Sequence, residues 1–168
     1  MPAKCAIIGV HAGNAHQMNR EIRHSIVIAA APEVVSAALS EPTQLARWWT
    51  REVRLVDGRV CLDWSGHGWQ VELRIDDGAD HRLVCWHCER SNMLDTLAWE
   101  GTVMRFDLIS TSQGTRVEFV QSGYRESPCF DACSQGWQYF LGSSLKRYVE
   151  TGEGTPYPDV PDPRSPVR

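Results

Sequence analysis

The stretch FDACSQGWQYFLGSSLKRYVET, residues 130–151, decides how the rest of the chain must fold. Within it Cys133, Trp137, Phe140, Leu141, Leu145 and Tyr148 recur at three- and four-residue spacings, the period of a helix with one apolar side. Gly152 and Gly154 stop that pattern, as glycine does at helix ends. A long amphipathic helix must bury its stripe against another layer, so the residues before it have to supply a surface of matching length.

Those residues read as a sheet. Between Trp49 and Gln121 the chain is punctuated by Asp57-Gly58, Ser65-Gly66-His67-Gly68, Asp76-Asp77-Gly78 and Gln113-Gly114, turn chemistries that tolerate positive φ. The intervals predict strands over 50–56, 59–64, 69–76, 81–88, 97–109 and 115–121. Val71, Leu73 and Ile75 make one face of the third of these, and Val117 and Phe119 one face of the last. Further upstream, Ile22, His24, Ile26 and Ile28 alternate with Arg23, Ser25 and Val27 as a first strand. Pro32 and Glu33 then open a helix carrying Val34, Val35, Ala38 and Leu39. Glu41-Pro42 breaks it, and 43–48 reads as a second short helix. The expected fold is α+β of the helix-grip kind: a curved antiparallel sheet of about seven strands wrapped around the C-terminal helix, with two short helices between strands 1 and 2.

The chain has 168 residues, 42% of them hydrophobic, which suits one domain with an ordinary core. A formal charge of −4 and a pI near 5.8 give no broad positive field for phosphate backbones, so nucleic acid is not an expected partner. The apolar run from Cys5 to Val10 is too short for a signal-peptide core, and no stretch approaches membrane-spanning length, so a cytoplasmic protein without membrane contact is expected. The six cysteines are then expected as free, mostly buried thiols without disulfides. Residues 1–17 lack periodicity and read as a disordered leader, with Met18 as a candidate natural start. The domain is expected over 18–155, followed by a Pro-rich tail over 156–168.

Several phrases carry a family resemblance. They are Ile26 to Val35 followed by Trp48-Trp49, then Trp99-Glu100-Gly101-Thr102, Gly114-Thr115-Arg116-Val117, Ser122-Gly123-Tyr124, Gly136-Trp137 with Leu141 and Leu145, and Glu150 to Tyr157. In this order the chain resembles the START-like (Bet v 1-like, SRPBCC) superfamily, and within it the branch named after the activator of the heat-shock protein 90 ATPase. The resemblance implies the helix-grip fold. Function it leaves open, because that scaffold serves ligand carriers, cyclases, lipid-transfer domains and co-chaperones.

Seven tryptophans stand on the segments that such a fold gathers around its cavity. Trp48, Trp49, Trp64, Trp86, Trp99 and Trp137, with Phe140 and Leu141, are the candidate walls of a site for a hydrophobic or planar ligand, although burial as plain core is the default use of each ring. His24, on the same strand face as Ile22 and Ile26, is the first polar candidate in that cavity, or else a histidine satisfied by a neighbouring strand. His87 is an alternative whose face depends on register, and His67 lies in a Gly-flanked turn expected to be solvated. Cys85-Trp86-His87-Cys88 invites a zinc reading, but on a regular strand Cys85 and Cys88 point to opposite faces and no knuckle turn follows, so no metal is expected. No nucleophile motif, phosphate loop or dinucleotide fingerprint is present, and neither a catalytic set nor a cofactor is implied.

Two functions follow. The first is binding of a small hydrophobic molecule between the sheet and the last helix, with cyclase or isomerase turnover as a variant if His24 or a buried carboxylate were tuned for it. The second, implied by the resemblance, is an interaction module for a chaperone ATPase. Either would suit a monomer or weak dimer.

Overall fold

In the computed structural model, which describes residues 20–125 and 128–160, the alternating segments become seven antiparallel strands. They are β1 (Arg20–Ile28), β2 (Glu52–Val56), β3 (Arg59–Trp64), β4 (Trp69–Asp77), β5 (Leu83–Ser91), β6 (Val103–Thr111) and β7 (Gly114–Tyr124). They pair in the order β1-β7-β6-β5-β4-β3-β2, a meander whose first strand returns to the far edge. Register puts like with like: Leu62 faces Val71, Trp86 faces Met104, Phe106 faces Phe119, and Val117 faces both Leu108 and Ile26. Since side chains alternate across a strand, every one of these pairs lies on the same, concave face. One extra residue in β5, Glu89, interrupts the pairing with β4, so that Cys88 and Ser91 are both buried while Glu89 and Arg90 are exposed.

Two short helices, α1 (Pro32–Ser40) and α2 (Pro42–Trp48), connect β1 to β2. Proline begins each, where the missing N–H costs nothing. The last carbonyls of a helix have no partner within it. In α1 two of them are taken by indoles: Trp48 donates to the Ala38 carbonyl at 2.9 Å and Trp86 to that of Leu39 at 2.8 Å. These two rings therefore hold α1 onto the sheet.

The C-terminal helix lies in the concavity. It is continuous from α3 (Phe130–Tyr139) through a π-helical stretch (Phe140–Leu145) into α4 (Lys146–Thr151), and Gly152 ends it in the left-handed conformation at φ 85°. The architecture is thus the helix-grip fold, with the long closing helix and the two short helices where the sequence puts them. Among the described residues, no helix is long and apolar enough to cross a membrane.

Three expectations are corrected. The strand predicted over 97–109 begins only at Val103; its first residues, with 93–95, form tight turns in which Leu94 (φ 54°), Asp95 (φ 59°) and Gly101 (φ 79°) are left-handed, a backbone that no strand accommodates. Residues 156–160, assigned to the tail, pack on the domain: Tyr157 bridges to Thr50, accepts from the Arg51 amide at 3.0 Å and donates its own amide to the Trp49 carbonyl at 2.9 Å. Cys61, Cys88 and Cys133 are free thiols, but Cys85 is disulfide-bonded. An expected compartment does not decide whether two given sulfurs meet. The proposed leader, residues 1–17, and Met18 lie outside the described residues.

Two outcomes follow for stability. A Cβ at Gly114, whose φ is 128°, would sit 2.2 Å from the Ile28 carbonyl oxygen, so Gly114→Ala is expected to lower unfolding free energy by about 3 kcal/mol in urea titrations. Burial, with Glu100 next in effect, pushes the Cys88 thiol up to about 12. An unfolded thiol titrates near ~8.5, so the folded state binds the proton more tightly; stabilisation is complete below that pH and is lost as pH rises toward 12. The urea midpoint should fall more steeply above pH ~9 in the wild type than in Cys88→Ala.

Candidate functional site

The stripe of the C-terminal helix meets the sheet through Trp137. Its ring packs 4.8 Å from Phe119, 5.3 Å from Trp49 and 5.5 Å from Trp99, and its indole N–H donates to Gln121 Oε1 at 2.9 Å. Gln121 is fully buried on β7 and donates in turn to Thr102 Oγ1 at 3.2 Å. Trp49 is the hub on the other side: it stacks on Trp86 at 5.0 Å and stands edge to face with Trp64 at 5.4 Å and 72°.

Beside this cluster, toward the β3–β4 end of the sheet, a pocket of about 230 Å³ remains open. Its floor is Trp49, Trp64, Trp99 and Trp137; Cys133, Gly136 and Phe140 form the helix wall; His67, Trp69, Leu94 and Tyr157 ring the mouth. The lining contains no Asp, Glu, Lys or Arg. The mouth is built by hydrogen bonds between turns. Trp69 donates to Asp95 Oδ1 at 3.2 Å, Asn92 accepts from the Gln70 amide and donates to the Gly68 carbonyl, and the Gly66 amide donates to the Tyr157 hydroxyl at 2.8 Å. His67 stacks on Trp69 at 4.2 Å and 13°.

Five of the candidate wall residues, Trp49, Trp64, Trp99, Trp137 and Phe140, come together in this lining. Four do not. Trp48 and Trp86 are buried beneath it as partners of α1, and Leu141 is buried in the core. His24 lies on the concave face of β1, stacked 6.3 Å from Phe119 with Nε2 3.4 Å from Ser134 Oγ, because α3 covers β1 and separates that strand from the pocket. His87 projects from the convex face, Nε2 3.0 Å from Asp76 Oδ2. His67 is exposed, as its Gly-flanked turn suggested, but stands at the mouth; Trp69, counted among the seven tryptophans, was not among the expected wall residues, and Leu94 and Tyr157 were not expected at all. Only the i,i+2 spacing of His67 and Trp69 in one turn signalled that two rings could stack.

Cys133 is the buried titratable group of the lining. Burial raises its pKa, and the hydrogen bonds its sulfur accepts from Tyr124 Oη at 3.1 Å and Trp99 Nε1 at 3.3 Å only partly offset that. A thiol held protonated is a weak nucleophile and a poor metal ligand. The pocket is therefore lined mainly by apolar and aromatic side chains.

The same order of elements is found in known proteins. Residues 29–150 match the family described as Activator of Hsp90 ATPase homolog 1-like protein. The chain belongs to that family. Within the fold of this family, the solution structure of the Aha1 dimer from Colwellia psychrerythraea is 29% identical with a TM-score of 0.67, covering 80% of this chain and 99% of that one. The crystal structure of CV1439 from Chromobacterium violaceum is 22% identical with a TM-score of 0.60, covering 79% and 98%. An AHSA1-like protein from Aeromonas hydrophila is 21% identical with a TM-score of 0.59, covering 79% and 94%. No curated protein sequence matches the chain.

Gln121→Leu would leave the Trp137 N–H without its acceptor inside the AHSA1-like core. The variant is expected to lose about 1–3 kcal/mol in chemical denaturation, with the indole resonance of Trp137 moving upfield in ¹⁵N-correlated spectra.

Proposed function

We propose that this chain binds a small, largely apolar aromatic molecule in the pocket between the sheet and α3. The observation that carries the reading is the lining: four tryptophans on the floor, no Asp, Glu, Lys or Arg, and a mouth of ordered turns. Aromatic walls around a concave space suit planar ligands. Size narrows the class. An apolar cavity of about 150 Å³ accepts benzene, so about 230 Å³ suits one or two fused rings and is too small for a sterol or a long acyl chain.

Turnover is not part of this proposal: the lining offers a protonated thiol and no carboxylate, and His24 stands outside it. A second reading, contact with a chaperone ATPase, draws on the family description and on the Aha1 neighbour. It would use an outer surface, where Leu55 and Val56 are exposed on the edge strand β2.

Gly136 allows a clean test, since a Cβ there meets nothing within 4 Å and the residue lines the pocket. Gly136→Leu should fill the space while improving helix propensity by up to about 1 kcal/mol. Titration of naphthalene, monitored by amide shifts, is expected to saturate in the wild type and to weaken more than about tenfold in Gly136→Leu, a loss of ~1.4 kcal/mol. Equal binding by the two proteins, or binding of cholesterol at the same residues, would count against the pocket as the site.

A further inference from the structure

Hydrogen-bond accounting of the tryptophans points to the chemistry of the ligand. Trp48, Trp69, Trp86, Trp99 and Trp137 all donate their indole N–H within the protein. Trp49 and Trp64 do not: among the described residues neither N–H has a hydrogen-bond partner, and neither nitrogen is among the fully sealed polar atoms without a hydrogen bond, Ser40 Oγ and His87 Nε2, so each keeps access to open space although the two residues are only 2% and 4% exposed. Both line the pocket, and their rings stand edge to face at 5.4 Å. A donor so placed is open to bonding by water or by an acceptor on a ligand.

The floor thus carries two spare donors and no spare acceptor. Of the two sulfurs in the lining, Cys133 Sγ already accepts from Trp99 and Tyr124, and the Met93 thioether is only a weak acceptor. With no Lys or Arg in the lining, a buried carboxylate or sulfonate would lack a counter-ion, which makes an anion costly at this depth. An uncharged oxygen with two lone pairs meets both constraints. Resting on the aromatic-ligand reading above, we infer that the ligand is an uncharged aromatic carbonyl compound of one or two rings, such as an aryl ketone, quinone or lactone, whose oxygen accepts from the indole N–H groups of Trp49 and Trp64.

The test compares three probes of similar size on the full chain, labelled with ¹⁵N at the indoles: 1-tetralone, tetralin and 1-naphthoate. Calorimetry is expected to show tetralone binding roughly tenfold more tightly than tetralin, the net gain of exchanging water for the carbonyl at the two donors, and naphthoate more weakly than either. The Trp49 and Trp64 indole N–H resonances should move downfield with tetralone and stay in place with tetralin. Trp64→Phe keeps an aromatic wall at the edge of the cluster; it should cut the preference for tetralone over tetralin to about threefold or less, a ratio measured within the variant so that the change in wall packing acts on both probes. Equal affinities for tetralone and tetralin with unmoved indole resonances would overturn the carbonyl inference, the donors then being met by water, and would leave the pocket reading standing. Tightest binding by naphthoate would overturn the uncharged class. Binding of none of the three would remove the pocket reading and this inference with it.

Discussion

The structure depends on one buried hydrogen bond, from the Trp137 indole on the closing helix to Gln121 on β7. A sheet with an apolar concave face and a helix with an apolar stripe attract each other without specifying register, because hydrophobic burial has no direction. The bond supplies direction. Gln121 is fixed from behind by Thr102, and Trp137 can reach it only with α3 at one height and rotation. That placement in turn sets which side chains of α3 face the aromatic cluster: Cys133 toward Trp99 and Tyr124, Gly136 toward open space, Ser134 toward His24.

From this follows a division of labour among the tryptophans. Rings whose N–H groups are committed at depth hold elements together: Trp48 and Trp86 cap the carbonyl end of α1, and Trp137 clips the helix to the sheet. Trp49 joins the two groups, since it touches Trp48, Trp86, Trp64, Trp99 and Trp137 and also forms part of the pocket floor. The pocket is consequently an unfilled corner of the core rather than a separate structure. Its volume is limited by the same contacts that stabilise the fold.

The mouth is assembled differently, from turns and from the segment after the last helix. Gly154 passes so close to α2 that a Cβ there would lie 2.4 Å from the Arg47 carbonyl oxygen, and Thr155 is held by Ser144 and Tyr139. This path delivers Tyr157 to the Gly66 amide and beside His67. A short segment with little apolar content of its own thereby becomes a wall of the site, because its backbone pairs with Thr50 and Arg51.

Much of this was legible in the chain itself. The period of Cys133, Trp137, Leu141 and Leu145, the alternation along Ile22–Ile28 and the glycine turns determined the helix, the strands and hence the helix-grip architecture, since periodicity and turn chemistry are local properties of a backbone. The tryptophans marked which part of the fold was aromatic. What only the tertiary structure decided was which of them face open space. Trp48 and Trp64 look alike as residues, yet one meets the free carbonyls of α1 and the other meets the pocket, and His24 faces inward but is screened by α3. Left-handed Leu94 and Asp95, and the return of Tyr157 to Gly66, likewise arise from contacts between segments far apart in sequence. Burial and hydrogen-bond partnership are set by such contacts, and no local pattern encodes them.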